Sequence, residues 1–196
     1  MSTEINFGIK EWAASIQALL DGNQIYLIRK DKPTRKYLLL YPTFSYAASA
    51  KASNNFRPEY RDMAIEAAQR ISIVAREEHR VPIPGFIEID SSIKITRDVS
   101  LDRLEPYQIW TKEHVHGYTR TKPESFIWFV KAYRFSDPVW GEHKGAGGSL
   151  VTYLHSEKVL ARPENGALDE DTFARLKREI IAKLPIEARK EIKVSA

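Results

Sequence analysis

Glu88, Asp90 and Lys94 lie close together in the chain and have the side-chain types used for metal-dependent cleavage of a phosphodiester. Such a site needs carboxylates to hold a divalent ion and a cation beside the attacked phosphate, and Glu11 is a further carboxylate for it. An alternating strand would turn Glu88 and Asp90 to one face, and a polar face in water uses the same residues without any chemistry. His114 and His116, next to Glu113, are of metal-ligand type. On a helix, however, two residues two positions apart point about 200° away from each other and cannot share an ion. No cysteine is present to complete a set, so neither a metal site nor a cofactor is expected. Lys144 to Ser149 is rich in glycine and could wrap backbone N–H groups around a phosphate. It lacks the spacing of a P-loop or a dinucleotide fingerprint and reads as a turn.

A second group is cationic. Arg29, Lys30, Lys32, Arg35 and Lys36 fall between two runs of β-forming residues, Gln24 to Lys30 and Lys36 to Tyr41, with Tyr26, Tyr37 and Tyr41 on the flanks. Phosphates need cations and bases need flat surfaces, which is the mixture a nucleic-acid groove uses, although a solvated hairpin tip would look the same. Trp12 and Trp110, each beside polar residues, would supply stacking surfaces. Trp12 also stands at helical spacing from Ile16, as a core residue would. The leading expectation is therefore a nucleic-acid-binding module for DNA or RNA. A divalent-metal-dependent nuclease is the alternative, and a protein-interaction module that forms a homodimer through its C-terminal helix is a third. Whether the chain is an enzyme stays open at this level.

The positioning elements follow from periodicity. Apolar residues from Ile9 to Leu20 recur at three- and four-residue spacing and predict a helix stopped by Asp21, Gly22 and Asn23. The two β-runs on either side of Pro33 predict a hairpin. Ser45 to Asn55 reads as a surface loop. A helix from Pro58 to about Glu78 is expected to bury the stripe Met63, Ala67, Ile71 and Val74. Phe86 to Ile89 and Ile93 to Ile95 alternate as a second hairpin would, and a short helix covers Tyr107 to His116. Phe126 to Phe135 is the expected central strand, with two further strands near Leu150 to Tyr153 and Lys158 to Leu160. Leu168, Phe173, Leu176, Ile180 and Leu184 mark a last helix, with acids at its start and Pro185 at its end.

Strands that arrive in hairpins predict an α+β fold, a mostly antiparallel sheet or small barrel with surrounding helices and a C-terminal helix, as one domain over residues 1–196. Its 196 residues are 43% hydrophobic, enough to bury a core without disulfides. Thirty basic residues against 26 acidic ones are a mild excess that fits a polyanionic partner without requiring one. The absence of cysteine, the lack of a leader-like start at Ser2, Thr3 and Glu4, and the lack of an apolar run of about 20 residues point to a soluble cytoplasmic protein away from membranes.

Six short motifs in order carry a resemblance: Lys10, Glu11 and Trp12; Gly22 before a strand ending in Arg29 and Lys30; Tyr41, Pro42 and Thr43; Ile109, Trp110 and Thr111; Tyr133 and Arg134; and Gly147 with Gly148. Together they resemble a bacterial family known only as domain of unknown function 1802, over roughly residues 7–153. The resemblance implies no activity, and it makes the segment of about 163–196 a helical extension of the family-like core. Where the family often has His-Gln after its Tyr-Pro-Thr motif, this chain has Phe44, Ser45 and Tyr46. Any chemistry of that histidine does not carry over. A barrel would resemble the pseudouridine-synthase-and-archaeosine-transglycosylase-like folds that read modified bases, an analogy of fold alone.

Overall fold

Residues 3–43, 53–142, 150–152, 159–161, 163–164 and 166–193 are described by the structure, a computed structural model. Most of the expected loop from Ser45 to Asn55 and the glycine pair Gly147 and Gly148 lie outside the described residues. The fold is α+β. Strands β2 (Phe7–Trp12), β3 (Tyr26–Arg29), β4 (Tyr37–Thr43), β5 (Arg80–Thr96), β6 (Glu124–Glu142) and β7 (Leu150–Thr152) form one sheet. Their order is β3-β6-β5-β4-β2-β7, and β9 (Glu191–Lys193) pairs with the far half of β5. β2 and β4 run parallel, and every other pairing among the described residues is antiparallel. A separate two-stranded sheet joins β1 (Thr3–Ile5) to β8 (Val159–Ala161). The helices are α1 (Ala13–Leu20), α2 (Arg61–Glu78), α3 (Lys112–Thr119) and α4 (Glu170–Lys183).

β5 and β6 form the long ribbon at the centre of the sheet, and their register shifts twice, between Ile83 and Gly85 and between Ile89 and Ser91. Such irregularities bend a strand and increase its twist. Gly85 sits at the first of them, where an added Cβ would lie 2.2 Å from the Tyr133 carbonyl oxygen, so the strands can approach this closely only at a glycine. The bent ribbon curls the sheet. Ile9 of β2, Leu27 of β3, Leu38 and Leu40 of β4, Ile87 of β5 and Trp128 of β6 all enter one core cluster, which Ile16 and Leu19 of α1 cap. β2 and β3 are not paired among the described residues, so the curl stays open and the expected barrel alternative is not formed.

The opposite side of the ribbon is covered by α3 and α4. Ile93, Ile95, Ile127 and Phe129 pack there with Val115, Phe173, Ile180 and Leu184, and the buried Tyr26 hydroxyl donates to the Leu104 carbonyl at 3.2 Å. α4 begins at Asp169, whose carboxylate accepts from the Thr172 N–H at 2.8 Å, with Glu170 and Asp171 in the first turn as the dipole favours. The C-terminal helix and its apolar face are as expected. Among the described residues, no helix is long and apolar enough to cross a membrane.

Several expected elements differ. The first third of the predicted Ile9 to Leu20 helix is strand β2, because Gly8 to Trp12 pair in parallel with Leu39 to Thr43, and the helix starts only at Ala13. The hairpin around Pro33 is not formed: β4 has β5 on one edge and β2 on the other, which leaves no edge for β3, and β3 pairs with β6 instead. Lys30, Lys32, Arg35 and Lys36 therefore lie on a crossover connection between β3 and β4, with Arg29 at the end of β3. The second expected hairpin is the single strand β5, with a bulge at Asp90 in place of a turn. On α2 the buried stripe is Ala64, Ala68 and Ala75, one position on from the expected one; Ala64 packs with Ala14 and Ala18 of α1, and Ala75 with the cluster of Val81 and Ile83.

Candidate functional site

The parallel pair β2 and β4 ends with Glu11 opposite Pro42 and Trp12 opposite Thr43, and the Thr43 hydroxyl donates to the Glu11 carbonyl at 3.1 Å. The Glu11 side chain turns inward, where only 10% of it is exposed. Its Oε2 accepts from Arg29 Nη1 at 2.9 Å and its Oε1 from the Trp12 N–H at 3.0 Å. Arg29 ends β3 and is itself 12% exposed, with its guanidinium over the Trp128 ring. This ion pair ties β2 to β3 across the seam where the two strands share no backbone hydrogen bonds. Trp128 Nε1 adds a bond to the Asp31 carbonyl at 3.0 Å just beyond Arg29.

Beside the ion pair stands a group of rings. The segment around Phe56 bridges Trp110 through the backbone, with Arg57 N–H donating to the Ile109 carbonyl at 2.9 Å and Thr111 N–H to the Asn55 carbonyl at 2.9 Å. That bridge stacks Phe56 on Trp110 at 4.4 Å between centroids and 23° between planes. His114 stacks on Trp110 at 4.4 Å and 20°. Its position follows from the start of α3, where the Thr111 hydroxyl caps the helix by accepting the His114 N–H at 3.3 Å. Trp12 stands nearly perpendicular to all three rings, 5.6 Å from Phe56, 5.3 Å from Trp110 and 6.3 Å from His114. Both tryptophans are half-buried, so each serves as wall and surface at once.

One turn after His114, Tyr118 meets the Lys30 ammonium, which lies 4.8 Å from its ring centroid. Burial pushes the Tyr118 hydroxyl up from its ordinary pKa, Glu11 and Asp31 act in the same direction, and Arg29 opposes them. Burial also lowers the His114 imidazole below its usual range, which favours the neutral ring. Lys32 and Arg35 are exposed on the crossover connection, with the Arg35 guanidinium 4.3 Å from the Phe7 ring centroid.

Arg35, over Phe7 at the opposite end of β2 from Trp12, and the remaining expected site residues do not join this cluster. Lys36 pairs with Glu88 at 3.3 Å, and Glu88 also accepts from the Tyr133 hydroxyl at 3.3 Å. Tyr37 and Glu88 hold Lys36 protonated above its ordinary range, while burial and then Glu88 push the Tyr133 hydroxyl up. Asp90 pairs with Lys177 at 2.7 Å, and Lys94 pairs with Glu124. The carboxylates and the lysine of the nuclease reading are thus each engaged with a different partner. His116 meets Asp102 at 2.7 Å, away from His114. Among the described residues, no group of three or more His, Asp or Glu side chains could hold a metal ion.

Four of the six motifs meet in the cluster, whereas Tyr133 and Arg134 lie elsewhere on β6, where Arg134 pairs with Asp21 at 2.8 Å. Phe56, Tyr118 and the stacking role of His114 were not expected. The one signal for the last two is the spacing of four between His114 and Tyr118, which puts both on one helical face.

The curled, mixed sheet with a charged aromatic cluster at its open seam defines the chain as an α+β protein. The chain belongs to the family described as domain of unknown function (DUF1802), whose model matches residues 8–179 and so takes in most of α4. No curated protein matches it. Among solved structures it is similar to the crystal structure of ASCH from Zymomonas mobilis, at 9% identity and a TM-score of 0.43, over 91% of this chain and 95% of that one. A serine-to-alanine mutant of the same protein gives 10% identity and a TM-score of 0.45, over 76% of this chain and 88% of that one. Likenesses this distant carry no argument about what the chain binds.

Proposed function

We propose that the cluster is the centre of a nucleic-acid-binding surface, on which Lys30 meets a phosphate and the rings around Trp12 and Trp110 receive bases, while Lys32 and Arg35 on the crossover connection meet phosphates farther along the strand. The observation that carries this reading is convergence. Residues from the ends of β2 and β3 and from α3, far apart in sequence, place the Lys30 cation and half-exposed rings together. Glu11 does not oppose a polyanion there, because its charge is matched by Arg29. The crossover connection takes the part that a hairpin was expected to play.

Binding of labelled single-stranded RNA and DNA across a salt series tests the reading. Three phosphate contacts to a single strand predict that log K falls against log salt with a slope of about −2. Replacing Lys30, Lys32 and Arg35 together by alanine should bring that slope close to zero. Absence of binding at the lowest salt, or a triple variant that binds as the wild type does, overturns the proposal.

A further inference from the structure

Phe56, Trp110 and His114 form a column with successive centroids 4.4 Å apart and planes within 23° of parallel. Its two ends differ. Phe56 is fully buried at one end, whereas His114 at the other is partly exposed. Among the described residues, the rings that meet His114 are Trp110 on one face and Trp12 at 73° to its plane, and none stacks on the face turned away from Trp110. Among the described residues, no further ring extends the column beyond His114.

We propose that an unpaired nucleobase stacks on the outer face of His114 as the fourth ring of the Phe56, Trp110 and His114 column. The inference rests on the nucleic-acid reading above and adds to it a place and a ligand class. A planar heterocycle fits because the column already repeats at stacking distance, and every base has a π-face whatever its sequence. Trp12, perpendicular to all three layers, stands along the side of the column. Lys30 lies over Tyr118, one helical turn from His114, where a cation can meet the phosphate of a stacked nucleotide. The fixed stack below His114 holds the imidazole plane in advance, so a base need not order it on binding.

The test compares the wild type with His114→Ala and His114→Phe, using an oligoadenylate, an abasic strand of equal length, and adenosine monophosphate as probes. The alanine variant should bind the oligoadenylate roughly tenfold more weakly or worse. Its binding to the abasic strand should be unchanged, and the phenylalanine variant, which keeps a ring, should stay near the wild type. Equal affinity of the alanine variant and the wild type for the oligoadenylate, or equal losses on both strands, overturns the stacking site and leaves the nucleic-acid reading standing. Binding of the mononucleotide alone, dependent on a ring at position 114, keeps the stacking site and overturns the wider reading. Failure of the wild type with all three probes overturns both.

Discussion

Replacing Glu11 by leucine should unfold the seam from inside. Glu11 and Arg29 retain only 10% and 12% of their side-chain exposure, so the variant leaves a guanidinium in a largely dry place without its counter-charge. Removing one partner of such a pair costs about 3 kcal/mol, the lower end of the range for pairs that are wholly buried. The Trp12 N–H also loses its acceptor, a further cost of about 1 kcal/mol. A total of about 4 kcal/mol corresponds to a fall in Tm of roughly 8–16 °C for a chain of this size. Urea unfolding followed by tryptophan fluorescence measures the loss directly. Glu11→Leu combined with Arg29→Met removes both charges and should recover all but about 1 kcal/mol. A single variant less than about 1 kcal/mol below the wild type would refute the reasoning, as would a double variant that merely sums the two single losses.

Gly85→Ala should cost about 3 kcal/mol or more, because its Cβ meets the Tyr133 carbonyl, a backbone atom that cannot yield without disturbing the β5 and β6 register. Gly117→Ala is the contrast: no atom lies within 4 Å of its added Cβ, and the helix should gain up to about 1 kcal/mol, both read from denaturant midpoints. His114 has its folded pKa depressed by burial, so between the folded and unfolded pKa values the unfolded chain binds more protons. Its contribution is complete above the ordinary value of about 6.5 and is lost progressively as pH falls below it. Stability measured from pH 7.5 to pH 5 should decline less in His114→Phe than in the wild type, and parallel declines would count against a buried imidazole.

The elements with strong local signals were legible in the chain. The last helix announced itself by its apolar spacing and its acidic start, and β6 by a run of aromatic and β-branched residues that two neighbours cover. What periodicity could not report was pairing. Ile9, Trp12, Ala13 and Ile16 satisfy helical spacing, yet the backbone of Gly8 to Trp12 is held by β4. Tyr26 to Arg29 and Tyr37 to Tyr41 look like hairpin arms, but β2 takes the edge that a hairpin would have used. The site shows the same division. Trp12, Trp110, Arg29 and Lys30 could be named from residue type, because cations beside aromatics are visible in one dimension. The pairing of Glu11 with Arg29 could not be, nor the column that makes His114 a stacking partner instead of a ligand, since both depend on strands and helices meeting at a distance. Glu88, Asp90 and Lys94 were drawn together by sequence proximity, and the bulge at Asp90 together with three separate ion pairs keeps them apart.

The pairing of β3 with β6 also sets an order of events in time. Tyr26 to Arg29 wait for partners at Phe126 to Phe129, about a hundred residues downstream, and contacts of such long range form slowly and late. During synthesis Arg29 has no strand to hold it until β6 has left the ribosome, although Glu11 and Trp12 emerged long before. The cluster around Glu11, Arg29 and Trp12 is therefore among the last parts of the molecule to come into being, and its appearance during refolding would mark the completion of the fold.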